Sequence, residues 1–380
     1  MRRALGLLVA SSATLALAAC APRMAPAPVA PPSPDPAAPV AETRPAAGAT
    51  VAERLTTPSV CTIRDLGLAP GAIGALRLEE GLVLEARSAE MGGLSALARR
   101  DDDRLLAVID QARLVKIVLW SPATPDGSRG MCVMRDLADA AGPLIGSHAD
   151  SEGAAWRDAE TLLVSFERVP RVQAFAVGPE DQAPPAPVRA VGTPVDFAGL
   201  GIDDNESLEA LAVLPSGALL AGAETPTILG RPHPVWRLAS RAATAPGAGG
   251  APYAPPSAPA FRIATEPGFG LVDFAVTPHG GLIVLERFST EATGARIRIG
   301  WLPPGVAETA DDVVRPVTLA RLNGGSDVPV DNFEGALALS GPGGLTTLWI
   351  VSDDNFNPAQ RTLLYRFSFD EAALLEQPDS

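Results

Sequence analysis

The sequence predicts an all-β fold, a β-propeller of about six blades built from antiparallel strands. The first observation is a hairpin that occurs five times between Ser95 and Asp353: a short apolar strand, a polar turn, and a second apolar strand ending at an acid. The closing acids are separated by 57, 57, 62 and 67 residues, and they are Asp110, Glu167, Glu224, Glu286 and Asp353. The second observation is a further strand-like run after most of these acids, such as Arg171-VQAFAV and Thr362-LLYRF. Three or four strands in each repeat of about 60 residues is the content of a propeller blade.

The folded part of the chain, residues 57–380, has room for five to six such units. Five are visible as repeats, and the stretch from Cys61 to Ala86 contains strands that could begin or complete a sixth. Closing the ring between the N-terminal and C-terminal strands would remove the exposed edges of the sheet. A β-sandwich or a solenoid is the alternative, because strong and weak repeats alternate along the chain.

Residues 1–19 predict a lipoprotein signal peptide. Arg2 and Arg3 precede an apolar run that is too short to span a bilayer. The run closes with Leu17-Ala18-Ala19-Cys20, which resembles a bacterial lipobox and predicts cleavage before Cys20 and lipidation of that cysteine. The alternative is an ordinary signal peptide followed by an unrelated cysteine.

Residues 20–56 predict an extended tether that follows the lipidated cysteine. From Ala21 to Thr56, 20 of the 36 residues are alanine or proline, a composition that cannot bury a core. Ala21 stands where lipoproteins retained at the inner membrane tend to have aspartate, which favours the outer membrane. We therefore expect a protein of the cell envelope, anchored by lipid on the periplasmic side of the outer membrane.

The formal net charge of −14 restricts the partners. It argues against a nucleic-acid partner and suits cation binding, although an acidic surface also serves solubility. We expect a monomer that meets the membrane through its lipid anchor, and whose partners are a small anionic ligand or an envelope protein.

Cys61 and Cys132 are the two cysteines that the lipobox leaves. An oxidising compartment permits a disulfide between them. Two isolated buried thiols are the alternative.

The hairpins bring their acids to one edge, because the start of the first strand and the end of the second lie at the same end of a β-hairpin. In a propeller the first strands line the central channel, so acids that open the hairpins would form a ring at one mouth. Hard oxygen ligands gathered from several strands suit Ca²⁺. The predicted metal ligands are Glu152, Glu209, Asp273, Glu334 and Asp353. The alternative is structural, because acids at a repeated position can cap backbone N–H groups or pair with arginines.

Acidic loops flank the predicted ring. They are His148-Ala149-Asp150, Asp203-Asp204-Asn205-Glu206, Asp331-Asn332 and Asp353-Asp354-Asn355. Together they place more carboxylates at this edge than strand register requires. By contrast, Asp101-Asp102-Asp103 is predicted to be a solvated hairpin tip at the opposite edge.

Six short segments carry a likeness to a known family. They are Ser151-Glu152-Gly153, Leu162-LVSFE-Arg168, Leu208-Glu209-Ala210-Leu211-Ala212, Val284-LE-Arg287, Asp331-Asn332-Phe333-Glu334-Gly335 and Val351-Ser352-Asp353-Asp354-Asn355. In order and spacing they resemble the phytase-like domain family, often described as "esterase-like activity of phytase". The resemblance covers about Leu66 to Phe367, and it implies a β-propeller in a secreted or envelope-associated bacterial protein.

Standard catalytic signatures are missing from the sequence. It has no Gly-x-Ser-x-Gly elbow and no Arg-His-Gly signature of the histidine-type acid phosphatases. If the protein is an enzyme, we expect calcium at the acidic mouth to neutralise an anionic substrate and activate water for phosphoester hydrolysis. The candidate catalytic residues are Glu209, Glu334 and His148, and the candidate substrate-binding residues are Arg113, Arg168 and Arg287.

Two other functions are open at this point. One is a non-catalytic propeller that binds a ligand or an envelope protein, and the other is a structural lipoprotein scaffold. His279 lies in a Pro-His-Gly-Gly turn and is predicted to be an exposed turn residue in any of these cases.

Overall fold

The chain folds almost entirely into β-strands. The computed structural model describes residues 59–101, 104–121, 123–177, 186–202, 208–224, 230–241, 251–290 and 294–376. Its strands are β1 (Cys61–Asp65), β2 (Gly71–Ile73), β3 (Leu76–Ala86), β4 (Leu94–Asp101), β5 (Arg104–Ile109), β6 (Arg113–Leu119), β7 (Ser128–Ala138), β8 (Ser151–Trp156), β9 (Thr161–Phe166), β10 (Arg171–Ala176), β11 (Val188–Asp196), β12 (Ala210–Val213), β13 (Leu219–Gly222), β14 (His233–Leu238), β15 (Phe261–Ile263), β16 (Gly270–Val276), β17 (Leu282–Thr290), β18 (Gly294–Leu302), β19 (Val313–Val314), β20 (Val317–Leu322), β21 (Asn332–Ser340), β22 (Thr346–Asp353) and β23 (Thr362–Phe369). Short helices α1 (Val306–Thr309) and α2 (Glu371–Leu375) accompany them.

Antiparallel pairing groups these strands into five blades within the described residues. In chain order the blades are β4-β5-β6-β7, β8-β9-β10-β11, β12-β13-β14-β15, β16-β17-β18-β20 and β21-β22-β23-β3. The first strands of the blades contact one another in a closed cycle, from β4 to β8, β12, β16, β21 and back to β4. All five first strands line a central cavity of about 260 Å³. A ring of blades around a central channel is a β-propeller, as predicted.

Each layer between neighbouring blades holds its own hydrophobic core. Ala154 belongs to the core shared with blade one, whereas the next residue, Ala155, belongs to the core shared with blade three. Successive side chains of a strand point to opposite faces, and here both faces are covered. This double burial explains why many strands read as continuous apolar runs instead of alternating ones.

The ring closes through the N-terminal strands, which corrects the expected blade count from about six to five in the described part of the chain. Strand β3 pairs with β23 and gives the last blade its outer strand. Strand β1 pairs with both β3 and β7, so the segment Cys61–Ala86 spans blades five and one. The strands expected to begin or complete a sixth blade therefore complete the fifth blade and join it to the first.

Cys61 and Cys132 form a disulfide, the first of the two alternatives that the sequence left open. They are register partners on β1 and β7, with their Cα atoms 5.0 Å apart. The bond fastens the N-terminal strand to blade one.

Residues 1–58 lie outside the described residues, and with them the predicted signal peptide, Cys20 and the tether. The acidic loop at residues 203–206 lies outside them as well. Within the part that is described, no helix is long and apolar enough to cross a membrane.

Candidate metal centre at the acidic mouth

A β-bulge lies where most of the hairpins open, close to the acids at the channel mouth. In blade one, Leu94 pairs with Ile109 and Ala96 pairs with Val108, which leaves Ser95 as the extra residue. The same register shift makes Glu334 the extra residue in blade five. In blade two, a register shift between Ser151 and Ala154 includes Glu152. Bulges re-aim side chains and are common beside functional sites.

Blade four carries its bulge one residue away from the position that the sequence repeat suggests. Leu271 pairs with Glu286 and Asp273 pairs with Leu285, so the extra residue is Val272. Arg287 pairs with Gly270 one step beyond the Leu271–Glu286 pair, as Asp353 pairs with Asn332 one step beyond the corresponding pair in blade five. By strand register, Val272 and Arg287 are the equivalents of the mouth residues in the other blades, and Asp273 and Glu286 are not.

The mouth therefore consists of two sets of five positions. The opening positions hold Ser95, Glu152, Glu209, Val272 and Glu334. The closing positions hold Asp110, Glu167, Glu224, Arg287 and Asp353.

Asp150, Glu152 and Glu167 form the tightest acidic group. One carboxylate oxygen from each lies within 4.8 Å of the others, and all three residues are partly buried. Asp150 directly precedes β8, and its carbonyl accepts a hydrogen bond from the backbone N–H of Glu167 at 2.9 Å. This bond continues the β8–β9 ladder by one step and holds the acids together.

The group is electrostatically unfavourable without a cation. Burial raises the pKa of Glu152 well above its usual value, and Glu209, Glu167, Asp150 and Asp110 raise it further. Burial, followed by Asp150, raises the pKa of Glu167 to about 7, although Arg168 opposes this shift. Like charges gathered at partial burial disfavour ionisation, which a bound cation would reverse.

Further acids border this group from blades one and three. Burial and then Asp353, Asp150 and Asp354 raise the pKa of Asp110 to about 7. The Oδ1 atom of Asp110 is buried without a hydrogen-bond partner among the described residues. Its proximity to three other acids makes it a candidate outer member of the site.

Glu209 and Glu224 supply the acids of blade three. Burial raises the pKa of Glu209 well above its usual value, and Glu224 and Glu167 raise it further. The Glu224 carboxylate lies against the backbone of Gly270, where a Cβ atom would overlap it. A side chain at residue 270 would therefore displace Glu224.

Arg287, on blade four, provides positive charge among these acids. Its Nη1 donates to Asn332 Oδ1 at 3.0 Å and also to Glu334 Oε1, and Asn332 Nδ2 donates to Glu334 Oε1 at 2.7 Å. Glu334 is thus engaged with Arg287 and Asn332. Burial raises the pKa of Asp353 to about 6, while the backbone N–H of Asn355 and the charge of Arg287 oppose the shift.

Asp273 and Glu286 serve the framework in this structure. The Asp273 carboxylate accepts backbone N–H groups of Phe274 and Ala336, each at 2.8 Å. Glu286 is fully buried, pairs with Arg298 at 2.5 Å and accepts the hydroxyl of Thr265 at 2.6 Å. These two acids therefore have the structural role that was the alternative to metal binding. We exclude Asp273 from the candidate metal site.

The remaining predicted residues lie at the rim. Arg168 is 58% exposed and donates to Asp150. Arg113 pairs at 3.4 Å with both Asp136 and Glu90, neither of which belongs to the mouth positions. His148 is exposed in a 3₁₀ turn, where its carbonyl accepts from Arg171, and His279 is exposed in its turn.

Of the tight group, the predicted ligand set omitted Glu167 and also Asp150. The acidic loop that contains it was visible in the sequence, but its contact with Glu167 depends on the extra backbone hydrogen bond at the start of β8. Glu167 was recognised as a closing acid, and its approach to Glu152 depends on the bulge at the opening position.

Comparisons with known proteins bear on the fold and the family. The family model described as "Phytase-like: Esterase-like activity of phytase" matches residues 89–356. No curated protein sequence matches the chain.

The solved structures that align with this protein share little sequence identity with it. A PQQ-bound aldose sugar dehydrogenase from Streptomyces coelicolor is 13% identical, with 82% of this chain and 99% of that chain covered and a TM-score of 0.43. A calcium structure of a Trichoderma reesei carbohydrate-active enzyme of family AA12 is 10% identical, with 83% and 99% covered and a TM-score of 0.39. A putative gluconolactonase is 14% identical, with 83% and 96% covered and a TM-score of 0.38. At such low identities and TM-scores, these structures give no information about the function of this chain.

Proposed function

This chain belongs to the phytase-like family, and on that premise we propose that it binds Ca²⁺ at the acidic mouth and hydrolyses phosphoesters of an anionic extracytoplasmic substrate. The observation that carries the proposal is the group of Asp150, Glu152 and Glu167, whose carboxylate oxygens lie within 4.8 Å of one another. Three carboxylates at this separation are the start of a hard-cation site.

The residues present fit a calcium ion by the chemistry of their donors. Ca²⁺ takes six to eight oxygen ligands and tolerates irregular geometry. Asp150, Glu152 and Glu167 would hold the ion, and Asp110, Glu209 and Glu224 would supply negative charge around it. The elevated pKa values of Glu152, Glu167 and Glu209 support this assignment, because a cation would relieve the repulsion that raises them.

A bound calcium ion would supply Lewis acidity, polarising a phosphoryl oxygen and making water more acidic. Glu209 is the side chain best suited to move a proton, because burial and the neighbouring acids raise its pKa well above the usual value of a carboxyl group. Arg168 holds Asp150 in position through their ion pair. Glu334 holds Arg287, and we assign it this positioning role in preference to metal ligation.

We further propose that the domain is held in the cell envelope by lipid on Cys20, through the tether of residues 20–56. The lipobox-like sequence Leu17-Ala18-Ala19-Cys20 and the Ala/Pro-rich composition support this arrangement. Labelling cells with a fatty-acid analogue would test it: wild-type protein should carry the label and Cys20→Ala should not. Label on the Cys20→Ala variant would contradict the assignment.

A second candidate function is a non-catalytic propeller that displays its mouth to a ligand or an envelope protein. The framework roles of Asp273 and Glu286 favour it, because they establish that acids near the repeat also serve the fold. In that case calcium would stiffen the mouth without turnover.

Calcium titration of the purified domain, followed by calorimetry and thermal unfolding, is the deciding experiment. We expect calcium to raise the melting temperature of the wild type, and Glu152→Gln to weaken calcium binding by at least about tenfold. Glu85→Gln is the matched control, because Glu85 is an exposed acid paired with Arg64 on an outer strand. If the wild type binds no calcium, or if both variants bind it equally well, the metal centre is wrong.

Turnover separates the two candidate functions. A hydrolase should release phosphate from a generic aryl phosphate in the presence of calcium, and Glu209→Gln should lower kcat more than it weakens calcium binding. A binding propeller should take up calcium without turnover, and crosslinking in the envelope should capture a partner through its rim loops.

A further inference from the structure

One of the five closing positions of the mouth does not hold an acid. Four of the five positions hold an acid, and they are Asp110, Glu167, Glu224 and Asp353. The fifth holds Arg287, because the bulge at Val272 puts Arg287 where Glu286 would otherwise be. Val272 occupies the opening position of the same blade, so this position holds no acid either. Blade four thus contributes a cation where the other blades contribute carboxylates.

The surroundings of Arg287 hold its guanidinium in place. Glu334 and Asn332 both accept from Nη1, and Asn332 also donates to Glu334. The side chain of Arg287 is 21% exposed, so it is partly accessible to solvent while its Nη1 atom is held by Glu334 and Asn332. Its charge acts on the ring, since it lowers the pKa of both Glu209 and Asp353.

An anionic substrate needs a positively charged group at the mouth. A ring composed entirely of carboxylates would repel a phosphoryl group, and one calcium ion on blade two would compensate only some of these acids. A fixed guanidinium presents parallel N–H groups to a phosphoryl group, a geometry that a metal ion does not provide. Arg287 therefore compensates the negative charge of Glu334, Glu209 and Asp353.

We propose that Arg287 forms an anion subsite at the blade-four side of the mouth, in place of a second cation, and that it binds a phosphoryl group of the substrate. A substrate that contacts both the calcium centre of blade two and Arg287 of blade four would bridge them, so the favoured substrates are phosphoesters with an anionic oxygen that the metal leaves free. The bridging role rests on the proposed function, whereas anion binding by Arg287 does not.

Phosphate titration by calorimetry tests the subsite, with inorganic phosphate as the probe and calcium kept at a level that leaves calcium phosphate dissolved. We expect Arg287→Gln to weaken phosphate binding by at least about tenfold, the effect of one charge-assisted contact. The same variant should bind calcium at least as tightly as the wild type, because a positive charge has been removed from the ring. Arg287→Lys should retain part of the phosphate affinity.

Weaker phosphate binding without weaker calcium binding in Arg287→Gln distinguishes an anion subsite from a purely structural arginine. Arg64→Gln is the control, since Arg64 pairs with Glu85 on an outer strand, and it should change neither affinity. Unchanged phosphate binding in Arg287→Gln would overturn the proposal, and so would a parallel loss of calcium and phosphate affinity. Thermal unfolding of each variant verifies that it is folded.

A failure of the calcium site would be recognised separately. If the wild type binds no calcium, phosphate is titrated without it. Binding that depends on Arg287 would then uphold the subsite while the proposed function fails, and no binding would overturn both.

Discussion

The carboxylate of Asp273, on the first strand of blade four, accepts the backbone N–H of Ala336, on the first strand of blade five, at 2.8 Å. The other oxygen accepts the N–H of Phe274 at 2.8 Å. A third backbone bond, from Leu211 of blade three, also favours the charged form and partly offsets the rise in pKa that burial imposes on Asp273. One side chain thus links the inner strands of three successive blades.

Asp273→Ala should destabilise the fold and leave the metal centre intact. The substitution strands buried backbone N–H groups, each of which costs about 1–3 kcal/mol when it loses its partner. We expect the free energy of unfolding to fall by about 3 kcal/mol, measured by chemical denaturation. Calcium affinity should be unchanged in conditions where the variant is folded. A selective loss of calcium binding without loss of stability would contradict this role.

Asp110→Asn should change how stability depends on pH when calcium is removed. The pKa of Asp110 is about 7 in the folded protein, against a usual value near 3.8. Between about pH 4 and pH 7 the folded state therefore holds more protons than the unfolded one, so this residue's contribution to stability is lost as pH rises. The asparagine variant lacks this loss, and in chelator it should exceed the wild type in stability at pH 8 by on the order of 2 kcal/mol.

The comparison between variant and wild type isolates Asp110. Glu167 titrates in the same window, and the low pKa of buried His233, about 4, has the opposite effect on the pH dependence, but both residues are present in both proteins. Near pH 4 the two stabilities should converge. Parallel stability curves from pH 4 to pH 8 would show that Asp110 does not have this pKa.

The propeller could be predicted from the sequence because its evidence is local and repeated. Each hairpin is a contiguous segment, so its strands and turn are visible without knowledge of the rest of the chain. The blade count could not be predicted in the same way. Strands in Cys61–Ala86 pair with β23 and β7, and these long-range pairings leave no pattern within the segment itself.

The candidate site shows the same limit at the scale of one residue. The edge of the sheet at which the acids gather follows from hairpin geometry, so this much was predictable. The choice between Glu286 and Arg287 depends on the position of a single bulge at Val272. The sequence Val272-Asp273-Phe274 is as compatible with a bulge at one residue as at the next, so only the paired strands decide which side chain faces the mouth.

The disulfide between Cys61 and Cys132 should contribute substantially to stability. It closes a loop across a sequence separation of 71 residues, and loops of this size imply about 4 kcal/mol in the chain-entropy account. Denaturation with and without a reductant should show this difference in the wild type. The double variant Cys61→Ala and Cys132→Ala should be insensitive to the reductant. Equal stability of the oxidised and reduced wild type would contradict the expectation.

Glu224 and Glu286 look alike in the repeat, and their substitutions should have opposite profiles. Glu224 acts on Glu209 and Glu167 at the mouth, so Glu224→Gln should weaken calcium binding by about fivefold, the equivalent of on the order of 1 kcal/mol of attraction. Its effect on stability should be small. Glu286→Gln removes the fully buried one of Arg298's two charged partners and leaves only the part-exposed Glu266, so it should cost about 3 kcal/mol of folding free energy. Calorimetry and denaturation of both variants check the contrast, and calcium binding that depends on Glu286 as strongly as on Glu224 would place the register of blade four in error.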